Sequence, residues 1–84
     1  MTRSLLPGIL AMAAIVVVSN ILRLVNVALL PEIRDALAPG GSAIFSGMEA
    51  KEADQFRAPL VAGGFDVADE VVDDGWWAVR AIRR

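Results

Sequence analysis

Ser19 and Asn20 close the apolar run Ala14-Ile15-Val16-Val17-Val18, and Asn20 is the side chain of this sequence best suited to holding a ligand. A side-chain amide offers two donors and an acceptor, so it can engage an amine or a carboxylate. An Asn that follows a strand is also a common turn residue bonded to its own backbone, and that structural role stands beside the functional one. Other chemistry is bounded by what the sequence lacks. It contains no His and no Cys, which removes the usual general base, the usual zinc ligands, thiolate nucleophiles and disulfides. Glu49, Glu52 and Asp54 form an acidic group with no second ligand set, so they read as a solvated helix start rather than a metal site. Trp76 and Trp77 occupy successive strand positions and should point to opposite faces, one into a core. No basic aromatic surface surrounds them, so neither implies base stacking. Arg80, Arg83 and Arg84 read as a solubilising basic end. No catalytic residue and no metal ligand is assigned.

The elements that must position Asn20 follow from periodicity. Four β-branched residues in succession, Ile15 to Val18, favour a strand, and the missing alternation predicts burial of both faces. Residues 25–37 carry Leu29, Ile33 and Leu37 at helical spacing with Glu32 and Asp35 off that line, which predicts an amphipathic helix. Pro31 removes a backbone donor, so this helix either kinks there or becomes regular near Leu30. Pro39-Gly40-Gly41 stops it, and Ser42 to Ser46 reads as a second buried strand, parallel to the first through a right-handed crossover. Residues 49–62 predict a second helix with Ala53, Phe56 and Leu60 buried and Pro59 weakening its last turn. Phe65 to Val72, with Phe65, Val67 and Val71 on one face, a turn at Asp73-Asp74-Gly75, and Trp76 to Ile82 then form a hairpin. The order is β-α-β-α-β-β. In open α/β sheets ligands bind beyond the carboxyl ends of the strands, which is where Asn20 falls.

The 84 residues hold one small domain, and a chain of that size buries only about 60% of its unfolded surface. Hydrophobic residues make up 56%, an excess that calls for a partner surface, a membrane or an unusually buried sheet. A net charge of −2 gives no electrostatic footprint for nucleic acid. Residues 1–14 form an apolar leader after Arg3, read as a short helix from Leu5 to Met12. Residues 5–22 could alternatively serve as a membrane anchor, although Pro7, Gly8, Ser19 and Asn20 dilute the run and Arg23 closes it early.

Residues 15–84 carry a family pattern. The helix ending in Leu37-Ala38-Pro39-Gly40-Gly41, the apolar strand after it and the closing β-α-β-β resemble the C-terminal half of class I methyltransferases dependent on S-adenosylmethionine. Val17-Val18-Ser19-Asn20-Ile21-Leu22, Leu30-Pro31-Glu32-Ile33-Arg34, Phe45-Ser46-Gly47-Met48, Gly64-Phe65 and Asp74-Gly75-Trp76-Trp77 are similar, in order, to the methyltransferases acting on large-subunit ribosomal protein eleven. The likeness covers residues 16–84, and residues 1–14 do not join it. It implies an α/β fold with a partial Rossmann-like sheet and an antiparallel C-terminal hairpin. It also implies S-adenosylmethionine as cofactor, a ribosomal protein amine as acceptor, a cytoplasmic setting, and Asn20 as the cofactor-contacting residue beside the target amine. Two family features are missing: the Gly-rich loop that lets backbone approach the cofactor, and the acidic residue that holds the ribose. The adjacent pairs Gly40-Gly41 and Gly63-Gly64 follow helices and precede strands, the wrong order for that loop. The expectation is therefore a methyltransferase fragment, inactive alone and completed by a missing N-terminal half. The alternatives are a non-enzymatic interaction module that self-associates through the strand at 15–18, and the small membrane-anchored protein.

Overall fold

A computed structural model describes residues 14–84. The leader lies outside the described residues except for Ala14, which opens the first strand, β1 (Ala14–Asn20). Helix α1 (Arg23–Ala36) follows, then β2 (Leu37–Glu49), a 3-10 turn (Ala50–Glu52), α2 (Ala53–Ala62), β3 (Phe65–Asp73) and β4 (Trp76–Arg83). The four strands lie in the order β1-β2-β4-β3. As expected, β1 and β2 are parallel across α1, and β4 runs antiparallel between β2 and β3. Because residues 14–20 are a strand, residues 5–22 do not form one anchoring helix, and no helix among the described residues is long and apolar enough to cross a membrane.

Both helices pack on one face of the sheet. Leu30 and Ile33 of α1 and Ala53, Phe56 and Leu60 of α2 join Ala43, Phe45 and Met48 of β2, Phe65 of β3 and Trp77, Val79 and Ala81 of β4 in a single core. Phe56 sits edge-on to Phe45 at 5.1 Å and to Trp77 at 6.0 Å between centroids, an arrangement that aromatic quadrupoles favour. Two β-bulges keep this face apolar. Between Phe45 and Met48, β2 spends one residue more than β4, so both side chains point into the core although they are three apart. Between Val67 and Asp69, β3 gains one residue on β4, so everything beyond Ala68 changes face.

Several expectations are corrected. Burial of both faces of β1 fails: Val16 and Val18 are 54% and 66% exposed, because no described element covers the second face of the sheet and β1 lies at its edge. The helix-1 stripe is Asn26, Leu30 and Ile33 rather than Leu29, Ile33 and Leu37. Leu29 is exposed, and Leu37 is buried as the first, extended residue of β2. Of the two roles open to Pro31, the late start fails, since α1 is already helical from Arg23 and continues through the proline. Leu37 to Gly41 do not run in register with β1, which resumes pairing at Val16–Ser42, so the Pro39-Gly40-Gly41 break survives as an irregularity with Gly40 at φ 82°. Val71 does not share a face with Phe65 and Val67, owing to the Ala68 bulge. The turn narrows to Asp74-Gly75, both left-handed (φ 51° and 79°), the backbone of a type I′ hairpin.

The arginine end is a set of clamps rather than a free tail. Arg84 donates to the Phe65 carbonyl at 2.7 Å, the Val61 carbonyl at 2.7 Å and Asp66 at 2.9 Å. Arg83 donates to the carbonyl of Leu37, and Arg80 pairs with Asp69 at 2.6 Å. On the helix side, Glu70 accepts from Arg57 at 2.6 Å and from the Trp77 indole at 2.9 Å, while Arg57 lies 5.5 Å from the Trp77 ring centre. The Arg57 hydrogen bond first, and the indole with it, hold the Glu70 carboxyl below its ordinary range. Such a group stabilises the fold above its unfolded pKa, near 4.5, and the contribution fades as pH falls through the lower folded value. Thermal unfolding followed by circular dichroism from pH 7 to pH 3 should therefore show a smaller acid loss in Glu70→Gln than in the parent, with the variant less stable at pH 7.

Candidate functional site

The carboxyl ends of β1 and β2 and the tip of the β3–β4 hairpin meet at one end of the sheet, since Asn20 pairs with Ser46 and Glu49 with Trp76. One buried side chain sets this end. Asn26, in the first turns of α1, is fully buried. Its carbonyl oxygen accepts from the Ser19 hydroxyl at 2.6 Å, and its amide nitrogen donates to the backbone carbonyls of Ile21 at 3.1 Å and Ser46 at 3.4 Å. One amide thus fastens the end of β1, the loop after it and the end of β2 to the helix that joins them. A second fastening lies beside it. Glu52 accepts from the Glu49 backbone amide at 2.9 Å and from Arg23 at 3.3 Å, tying the end of β2 to the start of α1. The Glu49 amide, followed by Arg23, lowers the pKa of Glu52. Glu49 pairs with Lys51 and Asp54 with Arg57.

Asn20 is exposed at the mouth so formed. Gly47 lies against it: a Cβ there would stand 2.6 Å from the Asn20 side-chain oxygen and 2.9 Å from the Ile21 backbone nitrogen, and Gly47 has φ +83°. Only glycine fits that approach and that backbone angle. Asn20, Ser46 and Gly47 line a cavity of about 420 Å³ with Val71, Asp73, Trp76, Trp77 and Ala78. The volume lies within the range of small-ligand sites. Trp77 is buried in the core and Trp76 is 56% exposed at the cavity, the division expected of adjacent strand positions. Asn26, Gly47 and Asp73 were not singled out from sequence as site residues. An Asn at an otherwise apolar helix position was the available signal for Asn26, while Gly47 and Asp73 depend on bulges that no local pattern announces.

The arrangement is one side of an open α/β sheet, with the candidate site at the carboxyl ends of its parallel strands. In architecture it matches solved methyltransferases: the ribosomal protein L11 methylase of Lactobacillus delbrueckii subsp. bulgaricus (TM-score 0.77, 23% identity, 83% of this chain and 36% of that one) and M1.HpyAVI in its SAM complex (TM-score 0.72, 11% identity, 99% and 50%). The fold is thus a partial Rossmann-like methyltransferase fold. The model of the family "Ribosomal protein L11 methyltransferase (PrmA)" matches residues 4–84, and the chain belongs to that family. The match begins well before residue 16, so the likeness extends into the leader that the sequence reading had set apart. The ribosomal protein L11 methyltransferase of Ectopseudomonas mendocina is 38% identical over 69 residues, 82% of this chain. The chain spans 23% of that relative's length.

Two substitutions test the construction of the site. Asn26→Ala strands a half-buried hydroxyl and two carbonyls and should lower unfolding free energy in urea by about 1–3 kcal/mol. Gly47→Ala should cost about 1–2 kcal/mol for its backbone angle alone and shift the amide resonances of Asn20 and Ile21 in a 15N-labelled sample.

Proposed function

We propose that residues 15–84 supply the C-terminal, acceptor-side half of an S-adenosylmethionine-dependent methyltransferase domain that modifies an amine of a ribosomal protein in the cytoplasm. The observation that carries this reading is the exposed Asn20 at the carboxyl end of a parallel strand pair, beside a cavity of about 420 Å³. The described residues fit one edge of the cofactor. Asn20 could contact its polar groups, but among the described residues the glycines with left-handed backbone, Gly40, Gly47, Gly64 and Gly75, do not form a strand-to-helix loop. When bound, S-adenosylmethionine supplies an electrophilic methyl group. The part of this chain is to orient the acceptor: the Asn20 amide oxygen accepts from the amine N–H and aims its lone pair, while Ser46 and the walls of the cavity limit access of water.

Alone, the chain should not methylate. Isothermal titration calorimetry with S-adenosylmethionine should show no low-micromolar binding by the isolated chain. Adding a segment from a relative that carries the Gly-rich strand-loop-helix should restore binding and transfer, with Asn20→Ala lowering the transfer rate about tenfold or more. Tight binding by the isolated chain would falsify the view that the principal cofactor contacts lie elsewhere.

A second reading rests on the exposed faces of Val16 and Val18 and on the edge position of β1: a non-enzymatic module that pairs with another chain, including a second copy, through that strand. Sedimentation velocity should then show a concentration-dependent dimer that Val16→Lys abolishes. A monomer at every concentration rules out self-pairing.

A further inference from the structure

We infer that Trp76 and Asp73 form a cation-receiving wall of the acceptor cleft, one that draws in a lysine side chain of a peptide and holds it in front of Asn20. The inference rests on the acceptor-side reading above and adds residues that determine which acceptor enters. Asp73 and Trp76 are direct cross-strand partners, and both line the cavity that Asn20 lines. The position of Asp73 is a consequence of the Ala68 bulge, which turns Val71 and Asp73 away from the helices to the face of Asn20, Ser46 and Trp76.

Charge compensation along the hairpin singles out its tip. Nearer the base, each acid is matched by an arginine: Asp66 by Arg84, Asp69 by Arg80 and Glu70 by Arg57. Among the described residues no cation pairs with Asp73 or with Asp74, and Lys51, which shares the neighbouring hollow with Asp74 and Trp76, is held by Glu49 at 3.1 Å. The tip thus keeps uncompensated negative charge on both sides of an exposed indole. An indole face attracts an ammonium group, and a carboxylate beside it adds direct attraction. Lysine matches the remaining walls as well, because its four-carbon stem is apolar and can lie along Val71 and Ala78 while its head reaches Asp73. A neutral or acidic side chain gains nothing from this pairing, which is the basis of selection.

The test is an NMR titration of the 15N-labelled full chain, without cofactor, using the peptide acetyl-Ala-Lys-Ala-amide, whose one amine is the lysine side chain. The expected result is a saturable shift centred on the Trp76 indole N–H and the Asp73 amide. Affinity should fall about three- to tenfold when the lysine is Nε-acetylated, in Asp73→Asn and in Trp76→Leu. It should be unchanged in Asp66→Asn, whose site is seven residues away along β3, about 23 Å. Retention of the parent spectrum outside the hairpin establishes that each variant is folded. Absence of a shift at Trp76, equal affinity for the acetylated peptide, or an unaffected Asp73→Asn overturns the inference. The proposed function fails separately. Lysine-peptide binding at Trp76 in a chain that no complementing segment makes active supports the wall and overturns the methyltransferase reading. An active reconstituted pair whose KM for the peptide is unchanged by Trp76→Leu overturns the wall alone.

Discussion

The site depends on a buried amide. Asn26 is removed from solvent, and a polar group in that position costs free energy unless its hydrogen bonds are made. Its partners are Ser19, the Ile21 carbonyl and the Ser46 carbonyl, which belong to three separate segments. The amide can be satisfied only when the ends of β1 and β2 and the intervening loop are all in place together. This makes the carboxyl end of the parallel strand pair cooperative. Asn20, one residue beyond Ser19 and one before Ile21, has its backbone held from both sides, while its own side chain stays exposed. Gly47 completes the constraint from β2, since any side chain there would occupy the space of Asn20.

The remaining architecture is one-sided. The helices cover one face, and the aromatic cluster of Phe45, Phe56, Phe65 and Trp77 concentrates burial there. Fully burying such a side chain is worth about 1.5–3 kcal/mol, so the core rests on a few large rings rather than on extent. The opposite face keeps Val16, Val18, Val71 and Trp76 in solvent. The 56% hydrophobic content is therefore divided between a closed core and an open surface. The open apolar face lies beside the edge strand β1, so burial in this sheet is concentrated on the helix side.

Legibility from sequence followed the range of the forces involved. Element order, the parallel β1–β2 pair, the buried stripe of Ala53, Phe56 and Leu60, and the Asp74-Gly75 turn all come from local patterns of short period, and each was readable. Burial of β1 was misjudged because a run of Val and Ile reports a preference for extended backbone, not what covers it; the cover is a property of the whole sheet. The stripe of α1 keeps Ile33 but takes Leu30 in place of Leu29, and begins at a polar residue, Asn26, that occupies part of the buried face. An Asn there reads as a surface residue until its three partners, five to twenty positions away, are known. The arginines of the C-terminus look like a solubilising tail for the same reason: the carbonyls of Phe65, Val61 and Leu37 that they bind carry no sequence signature.

The bulges explain why the residues lining the candidate cavity were not legible in the sequence. A strand without irregularity assigns side chains to faces by parity, and by parity Asp73 shares a face with Val67 and Phe65. One extra residue at Ala68 reverses that assignment for the outer half of β3, and one at Ser46-Gly47 does so for the end of β2. Both reversals fall where the sheet reaches the cavity. Each also serves the core: the β2 bulge brings Met48 inward beside Trp77, and the β3 bulge brings Glu70 to the helix side, where Arg57 and the Trp77 indole wait for an acceptor. Packing on the helix face and composition of the cavity are in this way set by the same two insertions. A deletion that repaired the parity of β3 would move Glu70 away from Trp77 and Asp73 away from Asn20 in one step, so the stability of the hairpin and the chemistry of the cleft cannot vary independently.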